Sequence, residues 1–296
     1  MADFIISTES TQDLNDEYCA KRDIHYVCFH FEIDGEQYMD NNGKSMPFKT
    51  FYDRMRAGSM TRTSQVNVDE YINYFEPFLK EGKDIVHLSL SSGISGTYNS
   101  AMIAKDQLEE KYPDRKIYAL DSLAASCGLG FFVDRLCDLR DEGKSAKEIY
   151  DFAVENRLKV DHWFFTDDLT YLIRGGRVSK AAGVIGKMLN ICPLLTVLPD
   201  GSLSVKEKIR GKKKTMERMV ELMSQKAENG TDYSGKCFIG HADNEEGAEE
   251  LAAMIREKFP NMSAPIEKNY IGTTIGAHTG PGLLLIGFWR AEKRTV

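Results

Sequence analysis

The densest chemical signal in the chain is the run Ser89-Leu90-Ser91-Ser92-Gly93-Ile94-Ser95-Gly96-Thr97-Tyr98. An apolar, strand-like stretch ends there, a Ser/Gly turn follows and a helix-like stretch begins. Small residues let the backbone approach a ligand closely. Free N–H groups at a helix start favour an anion, and the hydroxyls add donors. In open α/β sheets ligands bind beyond the carboxyl ends of strands, where this turn falls. The segment reads as a cradle for an oxyanion or carboxylate, or more simply as a serine cap on a tight turn. Ser95 does not sit in a nucleophile elbow, because the glycine of G-x-S-x-G arrives one residue early as Gly96. The Walker pattern is missing, and Gly93-x-x-Gly96 lacks the first glycine of the dinucleotide fingerprint. Neither a serine hydrolase nor a nucleotide-binding enzyme is supported.

Further polar clusters have the same character. Thr8-Glu9-Ser10-Thr11 follows the first apolar run, Thr61-Arg62-Thr63-Ser64-Gln65 lies between two helical patterns, and Asp121-Ser122 closes another strand pattern. Such clusters at strand ends are placed to converge on one rim, although capping is the commoner role of Ser and Thr. Gly276-Ala277-His278-Thr279-Gly280-Pro281-Gly282 is expected to form a tight loop that exposes His278, a side chain able to donate to an anion or hold a proton near neutral pH. Lys206, Lys208, Arg210, Lys212, Lys213 and Lys214 form a basic run suited to phosphate or an acidic partner, or to a solvated face; Arg174 and Arg177, which bracket two glycines, read similarly. His25, Cys28 and His30 have a faint metal-ligand look, with Cys28 and His30 on one face of a strand, but no second ligand pair accompanies them. No metal or cofactor is therefore expected.

The elements that position these residues follow from hydrophobic period. Val27, Phe29, Phe31 and Ile33 alternate with Cys28, His30 and Glu32, the pattern of a single half-buried strand. Phe48 to Met55 and Tyr71 to Leu79 have helical spacing, with Pro77 expected to kink or shorten the second. Asp84–Leu90, a helix over 97–112 and a strand over 116–120 continue a strand–helix alternation that implies parallel pairing through crossover helices. From about Asp161 a second unit begins. It comprises a strand over 162–166, a helical turn over 169–173, a hairpin around Pro199-Asp200-Gly201, helices over 216–223 and 245–259, and strands over 236–240, 266–271 and 283–288. The expected fold is α/β and two-lobed. An N-terminal lobe (1–160) has a mainly parallel sheet, and a C-terminal α/β lobe (161–296) has a mixed sheet.

Composition bounds the function. At about 150 residues per domain, 296 residues suggest two lobes. Hydrophobic (42%) and charged (28%) fractions are those of a globular chain, which excludes disordered or collagenous classes. The net charge of −7 makes nucleic acid or an anionic membrane surface a poor default partner, so an anionic ligand needs a local site. The six cysteines contain no C-x-x-C pair and do not read as a disulfide framework. MADFIISTES lacks the basic region of a signal peptide. The apolar stretch Leu283–Trp289 is far shorter than the ~20 residues of a membrane span. A soluble, cytoplasmic protein without stable membrane insertion is expected.

Taken in order, IISTEST (5–11), Thr63-Ser64-Gln65, LSSGISGTYNSA (90–101), Asp121-Ser122, YLIRGGRVSK (171–180), the Asp200-Gly201 turn before KEKIRG, and AHTGPG (277–282) resemble the DegV family of fatty-acid-binding proteins, including the carrier subunits of bacterial fatty acid kinases. Each motif is weak alone, but together they span about 3–292. Two departures occur: Glu9 stands where the family usually has Asp, and Val66 where Pro usually follows the TSQ motif. The resemblance implies a two-lobed α/β protein with a long acyl chain buried inside. It implies a carboxylate held by Thr63 and Ser95 with help from the backbone near Gly96. It also implies a phosphate-side or kinase-facing surface at Arg177, Arg210 and His278. The expected partners are a long-chain fatty acid and a separate fatty acid kinase catalytic subunit, with no catalytic residue in this chain. The alternative is a small-molecule phosphotransferase or hydrolase using Ser95 and His278.

Overall fold

The computed structural model describes residues 3–179 and 190–295. In chain order the strands and α-helices are β1 (Phe4–Glu9), α1 (Asp16–Lys21), β2 (Ile24–Val27), β3 (His30–Ile33), β4 (Glu36–Met39), α2 (Phe48–Arg56), β5 (Thr61–Ser64), α3 (Val68–Lys80), β6 (Asp84–Ser89), α4 (Thr97–Lys111), β7 (Ile117–Asp121), α5 (Ser126–Asp141) and α6 (Ala146–Asn156). They continue as β8 (Val160–Phe165), α7 (Thr170–Arg174), β9 (Ile191–Val197), β10 (Leu203–Arg210), α8 (Lys212–Lys226), β11 (Phe238–His241), α9 (Glu245–Lys258), β12 (Glu267–Tyr270), α10 (Thr273–Thr279) and β13 (Leu284–Trp289). Lys180, the last residue of the YLIRGGRVSK motif, lies outside the described residues.

The first sheet is parallel, in the order β2-β1-β6-β7. β1 and β6 are buried along nearly their whole length, as strands covered on both faces must be. The second sheet is mixed, in the order β10-β9-β8-β13-β11-β12; only β11 and β12 pair in parallel. The expected α/β class, with one mainly parallel and one mixed sheet, is what the chain adopts. The β9–β10 hairpin turns at Gly201, whose φ of 81° suits glycine. A third, antiparallel sheet, β4-β3-β5, was not anticipated.

Three readings of the sequence are corrected. The alternation from Val27 to Ile33 is not one strand: β2 joins the parallel sheet and β3 the small antiparallel one. The break falls at Phe29, whose N–H donates to Ser10 Oγ (3.0 Å) and whose carbonyl accepts from Asp40 N–H (2.8 Å), so ladder bonding stops there. His25 and His30 therefore lie in different sheets, facing Asp23 and Glu70. Among the described residues no three His, Cys, Asp or Glu side chains are grouped to hold a metal ion. α3 runs through Pro77 to Lys80 instead of stopping there, held at its start by an Asn67–Glu70 capping box. The AHTGPG segment is not an exposing loop at His278: that residue occupies the last turn of α10, and the chain turns only afterwards, at Gly280 and Gly282.

α5 sits between the two large sheets, with 12 of its 16 residues buried. It touches β1 on one side and β8, β11 and β13 on the other. Two of its glycines permit this. A Cβ on Gly130 would come within 2.5 Å of the Gln12 carbonyl, and one on Gly128 would overlap the His162 ring. Among the described residues no helix is long and apolar enough to cross a membrane.

Candidate functional site

The loop that follows β6, the small antiparallel sheet, the mixed sheet and α10 border a cavity of about 370 Å³, within the roughly 300–1,000 Å³ usual for small-molecule sites. Its wall is mainly apolar, with Phe29, Leu90, Phe164, Leu172, Ile275 and Leu285 from six different segments. Its outer end is polar. Thr63, Ser95, Gly96, Arg177 and His278 all border it, although they are spread over 215 positions of sequence.

Each is placed by a traceable contact. Thr63 pairs with Phe31 across β3 and β5, which turns its hydroxyl to His278, Oγ1 to Nε2 2.8 Å. Ser95 and Gly96 lie where β6 gives way to α4; Ser95 Oγ accepts from Thr97 N–H at 3.3 Å. Loop and hairpin are fitted backbone to backbone, because a Cβ on Gly93 would come within 2.5 Å of Ser202 N. Ser91 Oγ donates to the Gly201 carbonyl (2.8 Å), and Ser92 N–H donates to Asp121 (3.1 Å). The Asp121-Ser122 and Asp200-Gly201 motifs thus hold the serine loop from two sides.

Glu9 anchors the same loop from beneath. It is fully buried and accepts from Tyr71 Oη, from Leu90 N–H (2.7 Å) and from Thr97 Oγ1 (3.2 Å). Its work is structural to the loop, and it does not line the cavity.

Electrostatics at the outer end favour an anion. Arg177 lies half-buried, its Nε donating to the Ile94 carbonyl (3.1 Å) and its Nη1 to the Gly175 carbonyl (2.6 Å). Among the described residues no carboxylate pairs with it. Burial lowers its pKa, yet a guanidinium stays charged in proteins. Burial, and then the charge of Arg177, push the His278 pKa down to about 4, so the imidazole is neutral at pH 7. Gly175 packs directly beneath that ring; a Cβ there would overlap His278 Nδ1. This explains Gly175; its neighbour Gly176 instead takes a φ of 74° that favours glycine. Arg210 stands apart, exposed at the end of β10 and not in the cavity wall. The hydrogen bond of His278 goes to Thr63, and no Ser95–His278 bond forms among the described residues.

Some lining residues escaped the sequence reading. His162, Ser126 and Thr274 all face the cavity. His162 lies in a strand buried on both faces, which carries no alternation to mark it. Ser126 opens α5, a helix buried nearly all round and so lacking an amphipathic stripe.

The mixed sheet and the small antiparallel sheet, with α10 and the start of α5, thus border a mainly apolar cavity with a cationic, hydroxyl-lined end. The chain belongs to the DegV family, whose family model matches residues 3–290. It is 40% identical over 288 residues to a DegV domain-containing protein of Clostridium perfringens, covering 97% of this chain and 98% of that one. Its fold is similar to that of DegV, a fatty acid binding protein from Bacillus subtilis (28% identity, 98% and 100% of the two chains, TM-score 0.83). It is also similar in fold to the Streptococcus pneumoniae Fatty Acid Kinase (Fak) B3 protein loaded with linoleic acid (24% identity, 98% and 100%, TM-score 0.82).

Proposed function

We propose that this chain binds a long-chain fatty acid and presents its carboxylate to a separate fatty acid kinase for acyl-phosphate formation. The observation that carries the reading is the convergence of Thr63, Ser95, Gly96, Arg177 and His278 on one end of a mainly apolar cavity. Residues of both lobes, 1–160 and 161–296, supply it. Burying the tail of a sixteen-carbon acid yields about 12 kcal/mol gross, from about 15 carbons at ~0.8 kcal/mol each. Ordering and association offset much of that. A helix N-terminus adds about 0.3–2 kcal/mol for the anion. The tail therefore dominates affinity, and the head contacts set register.

The chemistry suits a carrier. In acyl-phosphate formation a carboxylate oxygen bonds to the γ-phosphorus of a nucleoside triphosphate, and the bond to the leaving nucleoside diphosphate breaks. A carboxylate is already an anion, so no general base is needed, and the step asks no proton transfer of His278. With Nε2–H directed to Thr63, the Thr63 hydroxyl is free to donate to the carboxylate. Arg177 lies on the same side, and exposed Arg210 contributes to the surface a kinase approaches. A cytoplasmic location goes with a kinase-coupled role.

The test is mass spectrometry of the purified protein, native and after organic extraction, followed by kinase-coupled turnover of Thr63→Ala and Ser95→Ala. A stoichiometric long-chain acid is expected, with phosphoryl transfer reduced more than lipid occupancy in both variants. Turnover equal to wild type in both would sink the assignment of the head site.

A further inference from the structure

The inner part of the cavity carries polar groups that carboxylate binding leaves idle. His162 and Phe164 project from the same face of β8, and both border the cavity. His162 is fully buried, and among the described residues neither ring nitrogen has a hydrogen-bond partner. Its packing accounts for this. The first turn of α5 lies flat on the ring edge at Gly128, and the paired position on β13 is Gly287, which offers no side chain. Burial first, and then the charge of Arg294, hold the imidazole neutral, so it has one N–H donor and one bare acceptor.

Thr274 supplies a second idle group. Its hydroxyl is buried without a partner among the described residues. It borders the cavity one α10 turn, about 6 Å, before His278. Ser126 closes the set, its hydroxyl donated to Asp13 and its lone pairs left over. A buried polar group without a partner costs about 1–3 kcal/mol. An unsubstituted alkyl chain would seal these groups from water and satisfy none of them.

We infer that the cavity accepts fatty acids bearing a hydroxyl part-way along the chain, and that His162 and Thr274 form the subsite that recognises it. This rests on the fatty-acid reading above. A hydroxyl both donates and accepts, so it matches a neutral imidazole in either tautomer, and equally a threonine hydroxyl in the wall of the same cavity.

Calorimetric titration of the delipidated full-length chain with stearate and a positional series of monohydroxystearates tests this. At least one isomer is expected to bind about tenfold more tightly than stearate. In His162→Leu the ratio of the two affinities should fall to near one, and in Thr274→Val it should fall part of the way. Should the leucine variant fail to fold, the imidazole nitrogen resonances of His162 in the wild type give the same answer, moving with the hydroxy acid and not with stearate. Stearate binding with no preferred isomer, as when a trapped water already serves His162, overturns the subsite alone. So does a preference that survives in His162→Leu, or resonances that respond equally to both ligands. No binding of any acid overturns the subsite and the fatty-acid reading together.

Discussion

Replacing Gly93 with alanine tests how the serine loop is held. The new Cβ would come within 2.5 Å of Ser202 N and 2.7 Å of the Gly201 carbonyl oxygen. Both are backbone atoms, and ordinary contact begins at 3.4 Å. Loop and hairpin must then part by about 1 Å. Gly201 is tied to the loop as well, its carbonyl accepting from Ser91 Oγ (2.8 Å). Overpacking of this kind costs about 1–3 kcal/mol. At roughly 2–4 °C per kcal/mol for a chain of this size, the midpoint should fall by about 2–12 °C. The parting also moves the Ile94 carbonyl that anchors Arg177, so fatty-acid affinity should fall with stability. Gly96→Ala is the internal control for stability. The nearest atoms to its Cβ belong to the side-chain amide of Gln65, the far end of a flexible side chain that can give way, and its midpoint should stay near wild type. Thermal unfolding of the two variants side by side decides the matter. A Gly93→Ala midpoint equal to that of Gly96→Ala would refute backbone-to-backbone fitting of the loop and hairpin.

Glu9→Gln should destabilise by about 1–3 kcal/mol for each donor left facing its amide N–H groups, since Tyr71, Leu90 and Thr97 all donate to the present carboxylate. Urea unfolding checks this, and a glutamine variant as stable as wild type would remove Glu9 from its anchoring role. The pH dependence of stability follows from His278, whose folded pKa of about 4 lies below the ~6.5 of an unfolded histidine. Between those values the unfolded chain binds more protons. The contribution of His278 is complete above about pH 6.5 and is lost as pH falls towards 4, with a slope of up to about 1.4 kcal/mol per pH unit. His278→Gln should flatten that part of the stability curve, and an unchanged slope would mean the imidazole is not buried beside Arg177.

Local signals in the sequence were sufficient for the strongly periodic elements. α2, α4, α9, β6, β7, β13 and the β9–β10 hairpin appear close to their expected bounds, because period, caps and a turn glycine act over a few residues. Elements whose existence depends on distant partners were not legible. β5 is a short polar segment that becomes a strand only against β3. α10 starts where Asp13 and Asp40, more than 230 positions away, accept from the N–H groups of Gly272, Thr273 and Thr274. α5 lacks a stripe because both of its sides are buried.

The same division runs through the site. The polar clusters that suit an anion stand out by composition and by the small residues around them, and the resemblance to the DegV family points within them to Thr63, Ser95, Gly96, Arg177 and His278. Hydroxyls, glycines and a guanidinium carry their chemistry wherever they are placed. Their convergence is a tertiary fact. The Thr63–His278 hydrogen bond spans 215 positions, and the hairpin meets the serine loop through contacts between backbones. Cavity volume, the neutrality of His278 and the orphaned nitrogens of His162 likewise belong to the packed state alone. Each depends on which atoms lie within a few ångströms, a quantity that no period or motif along the chain encodes.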